Sequence, residues 1–158
     1  MERPITDPFL SDYRAIERLI KDYINHGQLI IAYDYDNTVY DYHKKGYQFN
    51  MITDLLRECE PYAKFIVYTH SNDDRHGEII EYLDKNKLPW DTINEGIVWA
   101  NGKKEGKLFF NHLLDDRAGL RSAFIILDKA MRIIRQQPKT IKEAREMYKE
   151  QFGKTIEL

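Results

Sequence analysis

Apolar residues along this chain fall into two patterns, short continuous runs and stretches with helical spacing. The continuous runs are rich in β-branched and aromatic residues, and each ends abruptly in polar side chains, which predicts buried strands. These runs lie at residues 30–33, 64–68 and 108–114. Helical spacing of apolar residues predicts helices between them. These stretches lie at about residues 12–25, 50–60, 73–86, 120–136 and 140–152. Strands that alternate with helices predict an α/β fold with a mainly parallel sheet.

Several residues at the ends of these stretches predict where helices begin and end. Ser11 precedes the first helical stretch as a plausible N-cap, and Gly27 follows it at a position typical of a helix C-terminus. In the second helix the spacing predicts Met51, Leu55 and Leu56 as the buried residues.

The chain reads as one domain covering residues 1–158, because no repeat, linker or low-complexity tract divides it. We expect the helix within residues 1–28 to pack on the sheet, and residues 139–158 to form a helical tail. Residues 88–101 predict only a short strand and a turn region.

Composition narrows the class of protein. The 158 residues are 42% hydrophobic and 32% charged, with a net charge of -2, so nothing indicates broad binding to nucleic acid or to an anionic membrane. The single cysteine, Cys59, excludes an internal disulfide and a cysteine-based zinc site. No apolar run resembles a signal peptide or a membrane span, so we expect a cytoplasmic protein with no membrane partner. Homo-oligomerisation stays open.

Polar residues of the kinds that bind ligands or catalyse reactions follow all three predicted strands. Asp34 and Asp36 follow the first, Thr69 the second, and Asp115 with Asp116 the third. The carboxyl ends of parallel strands meet at one edge of a sheet, so four carboxylates are expected to crowd there and to repel one another. Oxygen ligands of this kind suit Mg²⁺, which in turn suits a phosphoryl substrate. A capped turn with solvated carboxylates is the alternative for the first pair, and a helix N-cap for the last.

These residues resemble the motifs of the haloacid dehalogenase (HAD) superfamily. Asp34–Val39 is similar to the first motif, Asp-x-Asp-x-Thr after a hydrophobic strand, and Phe65–Thr69 to the second. Lys107 matches the lysine of the third motif, and Leu113–Asp116 the acidic pair of the fourth. The four motifs occur in the family's order within about residues 29–120. The resemblance implies a three-layer α/β/α sandwich with a Rossmann-like core.

The resemblance also implies roles for the carboxylates. Asp34 would be the nucleophile that forms an aspartyl phosphate, and Asp36 would act as general acid and then as general base. The Asp34 carboxylate, the Asp36 carbonyl and either Asp115 or Asp116 would hold Mg²⁺. Asn37 stands where glycine is commoner in the family, and asparagine tolerates unusual backbone angles.

For the phosphoryl group, the resemblance implies a grip by Thr69 and Lys107. Lys103 and Lys104 are rivals for the lysine role, with Lys107 preferred for its spacing to the acidic pair. His70 follows Thr69 directly and is a further candidate for phosphate binding.

The expected activity is therefore that of a Mg²⁺-dependent phosphatase with a minimal cap. Between the first and second motifs, and between the second and third, predicted elements leave no room for a cap domain. By the resemblance, an open site of this kind implies either a large, even macromolecular, phosphorylated substrate or a cap supplied by a partner subunit. Residues 40–47 are expected to form a short flap, in which Lys44 and Lys45 are candidates for substrate contact. The alternative is a non-catalytic Mg²⁺- and phosphate-binding regulatory or assembly protein.

Overall fold

The computed structural model describes residues 3–4, 6–97 and 108–153. Its helices and strands, in chain order, are α1 (Asp12–His26), β1 (Leu29–Tyr33), α2 (Asn50–Cys59), β2 (Ala63–Val67), α3 (His76–Lys85), β3 (Thr92–Ile93), β4 (His112–Leu114), α4 (Leu120–Ile134) and α5 (Ile141–Phe152). Single 3-10 turns lie at Pro8–Leu10, Glu60–Tyr62 and Asp73–Arg75. The fold is α/β, as predicted.

All four strands form one parallel sheet in the order β3-β2-β1-β4, which is compatible with a Rossmann-like core. β1 lies between β2 and β4, and all five of its residues are buried. Tyr33 is in register with Val67 on one side and with Leu114 on the other. The residues that follow these three positions therefore lie side by side at one edge of the sheet.

The helices match the sequence-based predictions closely, whereas two strands differ. β4 covers only His112–Leu114, because Leu108 and Phe110 pack against the sheet cluster of Ile30, Ala32, Ile66 and Ile97 without joining the ladder. The short edge strand β3 lies at Thr92–Ile93, within the stretch 88–101 where a short strand was expected.

Of two finer predictions about the helices, the one for Met51 is wrong, and the one for Ser11 is right in position only. Met51 is 69% exposed, because the buried face of α2 runs through Ile52, Leu55, Leu56 and Cys59 at helical spacing. Ser11 precedes α1, but its side chain makes no capping hydrogen bond. Gly27 does end α1, in the left-handed conformation at φ 72°.

Backbone contacts divide the chain into two compact units, one formed by Leu29–Leu120 and the other by the segments before and after it. In the second unit, α1 and α5 contact each other through an edge-to-face pair, Tyr13 with Tyr148, at 5.0 Å, and through an ion pair between Glu17 and Arg145. Thr140 caps α5 by accepting from the Glu143 amide. Within the described ranges, no helix combines the length and apolarity needed to cross a membrane.

Candidate active site at the carboxyl edge of the sheet

Three carboxylates converge where β1 and β4 end. Asp34, Asp115 and Asp116 each present an oxygen, and these oxygens all lie within 4.8 Å of one another. The sheet itself brings them together, because the Asp34 amide donates to the Leu114 carbonyl at 2.8 Å and so extends the ladder by one residue. We call these three residues the acidic cluster. No salt bridge joins any of them to a cation among the residues that the structure describes.

The electrostatics of the acidic cluster are unfavourable for three ionised groups. Burial raises the pKa of Asp34 to about 7, and the hydrogen bond to Asp116 and the negative charge of Asp115 act in the same direction. A hard cation would relieve this repulsion, and an all-oxygen donor set suits Mg²⁺. The donor chemistry of the cluster therefore fits the expected metal.

Thr38 ties the first motif to the fourth. Its side chain is fully buried, and its Oγ1 accepts a hydrogen bond from the Asp116 amide at 3.2 Å. Asn37 has φ 59°, and its amide donates to the Tyr40 carbonyl at 2.7 Å. Asn37 thus adopts the left-handed backbone angle that asparagine tolerates, and Thr38, which follows it, contacts the Asp116 amide.

Asp36 belongs to a different arrangement from Asp34. Both of its carboxylate oxygens bind Arg75, at 2.7 Å from Nη1 and 3.0 Å from Nη2. Arg75 Nη1 also donates to Ser71 Oγ at 2.7 Å, and the hydrogen bonds with Asp36 raise the pKa of Arg75. Crowding at this edge therefore involves three carboxylates and not four, since an arginine neutralises the fourth.

Aromatic rings surround the Arg75 guanidinium. Its central carbon lies 5.6 Å from the ring centre of Tyr35 and 5.5 Å from that of Tyr42, within cation–π range. Tyr35 is fully buried and stacks on Tyr40, whereas Tyr42 is 51% exposed. The segment predicted as a flap thus reaches the site through Tyr42, while Lys44 and Lys45 are exposed.

Thr69 follows the end of β2, as predicted, and is held mainly through its backbone. Its amide donates to Asn94 Oδ1 at 2.9 Å, and its carbonyl accepts from Asn94 Nδ2 at 2.8 Å. Its hydroxyl accepts from the Ser71 amide at 3.2 Å. His70 lies next to it and is exposed. Their roles as phosphate ligands remain predictions.

The lysine candidates Lys103, Lys104 and Lys107 lie outside the described residues. The capping alternative for the acidic pair receives no support from the geometry, because a turn separates the pair from α4, which begins at Leu120. Asp115 instead accepts from the Arg117 amide at 2.9 Å, a local turn contact that leaves its second oxygen available.

Sequence reasoning missed Arg75, Asn94 and the tie made by Thr38. Arg75 lies in a charged Asp-Asp-Arg tract that looks like a solvated surface, and its partner Asp36 lies 39 residues earlier. A polar tract directly after a strand end was the available signal. Asn94 had a weaker one, since it follows a strand of only two residues.

No family model matches the sequence, and neither a curated protein nor a solved structure matches it significantly. Its function must therefore be inferred from the geometry of the site.

Proposed function

We propose that this chain is a Mg²⁺-dependent phosphohydrolase of the HAD type, with Asp34 as its nucleophile. The observation that carries the proposal is the convergence of Asp34 with Asp115 and Asp116 at the carboxyl edge of a parallel sheet. Ligand sites of open α/β sheets lie at this edge. The proposal includes a three-layer α/β/α core without a separate cap, for which the all-parallel sheet is the support.

Asp34, Asp115 and Asp116 would hold the metal, which when bound neutralises negative charge on the phosphoryl oxygens. An Asp34 oxygen attacks phosphorus, the bond from phosphorus to the ester oxygen breaks, and the leaving oxygen takes a proton from Asp36. Asp36 then takes a proton from water, whose oxygen attacks phosphorus and releases Asp34 and inorganic phosphate.

The ion pair with Arg75 is compatible with the proposed role of Asp36 as general acid and general base. A carboxylate offers about four lone-pair positions, and Arg75 occupies one on each oxygen, so further positions remain for a proton. Arg75 also fixes the Asp36 carboxylate in one orientation, which favours proton transfer at a defined place.

The test is a phosphatase assay with Mg²⁺, using an aryl phosphate and a panel of sugar, nucleotide and protein phosphates. Wild type should turn over at least one of them, and Asp34→Asn should lose about 10³-fold or more of kcat, since a nucleophile has no substitute. Asp54→Asn, an exposed aspartate on α2, serves as the matched control and should retain full activity.

Equal turnover by wild type and Asp34→Asn would remove Asp34 as nucleophile. If no substrate is turned over, yet beryllofluoride binds in the presence of Mg²⁺ and fails to bind Asp34→Asn, the non-catalytic phosphate-binding alternative is favoured.

A further inference from the structure

The hydrogen bonds of Arg75 leave one edge of its guanidinium available. A guanidinium carries five N–H donors in a fixed plane. Among the described residues, two of these donate to Asp36 and one to Ser71. The carboxylate takes the end of the guanidinium formed by Nη1 and Nη2. The two remaining donors, one on Nε and one on Nη2, point in parallel along the adjoining edge.

Parallel donors of this kind match two oxygens of a phosphate or a carboxylate. The group is also well fixed, because Asp36 and Ser71 hold one end and the rings of Tyr35 and Tyr42 lie beside it. The side chain is 25% exposed, so it is partly open to solvent. A rigid, partly exposed donor pair loses little conformational entropy on binding.

We propose that this free edge of Arg75 binds a second anionic group of the substrate, so that the chain prefers phosphate monoesters carrying another phosphate or a carboxylate. This inference rests on the proposed function for the reaction at Asp34. Arg75 is then a specificity-determining residue, which binds substrate with one edge and holds Asp36 with the other.

The double role requires a test that separates the two edges. Loss of Arg75 disturbs Asp36 as well, and that disturbance slows the reaction of every substrate alike. Within one variant, we divide kcat/KM for a monoester that carries the second anionic group by kcat/KM for the matching monoester without it. The disturbance of Asp36 affects both values equally and cancels in this ratio. Only an interaction with the second anion changes this ratio.

The measurement compares phosphoglycerate with glycerol phosphate, and sugar bisphosphates with the matching monophosphates, in wild type, Arg75→Lys and Arg75→Met. In wild type at least one pair should show a preference of about 10- to 100-fold for the second anion. The preference should fall at least fivefold in Arg75→Lys, which keeps the charge without the paired donors, and should nearly vanish in Arg75→Met. A ratio within twofold of wild type in both variants, or no preference in wild type, would overturn the inference.

A second measurement does not depend on turnover. In ¹⁵N-labelled, metal-free protein, inorganic phosphate and pyrophosphate should shift the Nε–Hε signal of Arg75 saturably, since Nε belongs to the available edge. The signal is assigned by its loss in Arg75→Lys. Arg57, a half-exposed arginine on α2 that pairs with Asp54 and donates to the Asn86 carbonyl, is the control and should not respond.

The two arms separate the failure of each proposal. Absence of any Asp34-dependent turnover contradicts the proposed function, while a saturable Arg75 shift still supports an anion site at this edge. An Arg75 signal that moves no more than that of Arg57 overturns the anion site even if the enzyme is active.

Discussion

Two carboxylates in one loop, Asp34 and Asp36, occupy opposite electrostatic environments. Asp34 shares its surroundings with Asp115 and Asp116, and burial together with these neighbours raises its pKa to about 7. Asp36, two residues on, has both oxygens bound by Arg75. The difference separates a carboxylate that no described cation neutralises from one that an arginine neutralises. A cation would add most stability at the acidic cluster, where the repulsion is not relieved. Asp36, in contrast, is held in place by Arg75.

The largest expected effect is the response to Mg²⁺. Free Mg²⁺ at 100 times its Kd should stabilise the wild-type protein by about 2.7 kcal/mol, which for a chain of this size raises Tm by about 5–10 °C. Asp34→Asn should abolish the shift, and Asp36→Asn should retain most of it, as calorimetry with and without Mg²⁺ would measure. A shift that survives in Asp34→Asn, or that disappears equally in both variants, would erase the contrast between the two carboxylates.

The second effect is the pH dependence of metal-free stability. Between about pH 4 and pH 7, Asp34 is protonated in the folded chain and ionised in the unfolded chain, because its pKa rises to about 7 on folding. The unfolded chain then binds fewer protons, so the free energy of unfolding falls as pH rises through this window. The slope stays below about 1.4 kcal/mol per pH unit, the limit for one group, because the difference in bound protons between the two states is less than one.

Urea denaturation of wild type and Asp34→Asn over this pH range measures the difference between them. The variant should be more stable than wild type at pH 8 without metal and should lose the downward slope. An identical pH profile for the two proteins would show that Asp34 has an ordinary pKa.

A third test measures the ion pair between Asp36 and Arg75. The Asp36–Arg75 pair is partly buried and bidentate, so a double-mutant cycle of Asp36→Asn and Arg75→Met should give a coupling energy of about 1–2 kcal/mol. The measurement is the free energy of unfolding of the four proteins at neutral pH. Arg132→Met with Asp128→Asn, an i,i+4 pair on α4 whose arginine is 53% exposed and makes a single longer contact of 3.4 Å, is the comparison and should couple by less than about 0.5 kcal/mol. Additive effects at Asp36 and Arg75 would contradict the idea of a preformed pair.

The smallest effect is expected at the hydrogen bond between Thr38 and the Asp116 amide, which joins the first motif to the fourth. Thr38→Val keeps the volume and removes the oxygen that accepts from the Asp116 amide, which should cost about 1 kcal/mol of stability. Mg²⁺ affinity should weaken a few-fold, because the Asp116 loop is held less firmly. Thr38→Ser keeps the oxygen and should retain near wild-type affinity by calorimetric titration. Equal Mg²⁺ affinity in all three proteins would show that the tie does not position the metal ligands.

The helices were predictable because their apolar positions repeat over several turns. The strands were less so, since a short apolar run does not reveal whether it pairs or packs. Leu108 and Phe110 are apolar because they cover one face of the sheet, and the ladder at this point continues through the Asn111 side chain, which accepts from the Ile30 amide at 2.7 Å. Pairing begins only at His112.

For the site, sequence order sufficed to place Asp34 beside Asp115 and Asp116, because parallel strands bring their carboxyl ends together. It did not suffice for Asp36. A salt bridge across 39 residues depends on where a turn after β2 directs one arginine, and local periodicity carries no information about that direction. The same reasoning could not separate three carboxylates that share a site from a fourth that does not.

The side chain of Asn94 has a consequence for how this site could diversify. By supplying both a donor and an acceptor to the backbone of Thr69, it closes the sheet edge in place of a further ladder residue. The segment that follows, including Ser71 and Arg75, therefore does not need to continue the strand. Under the proposed function, insertions and exchanges in that segment would alter substrate preference without loosening the sheet, so directed evolution of a new specificity should begin there.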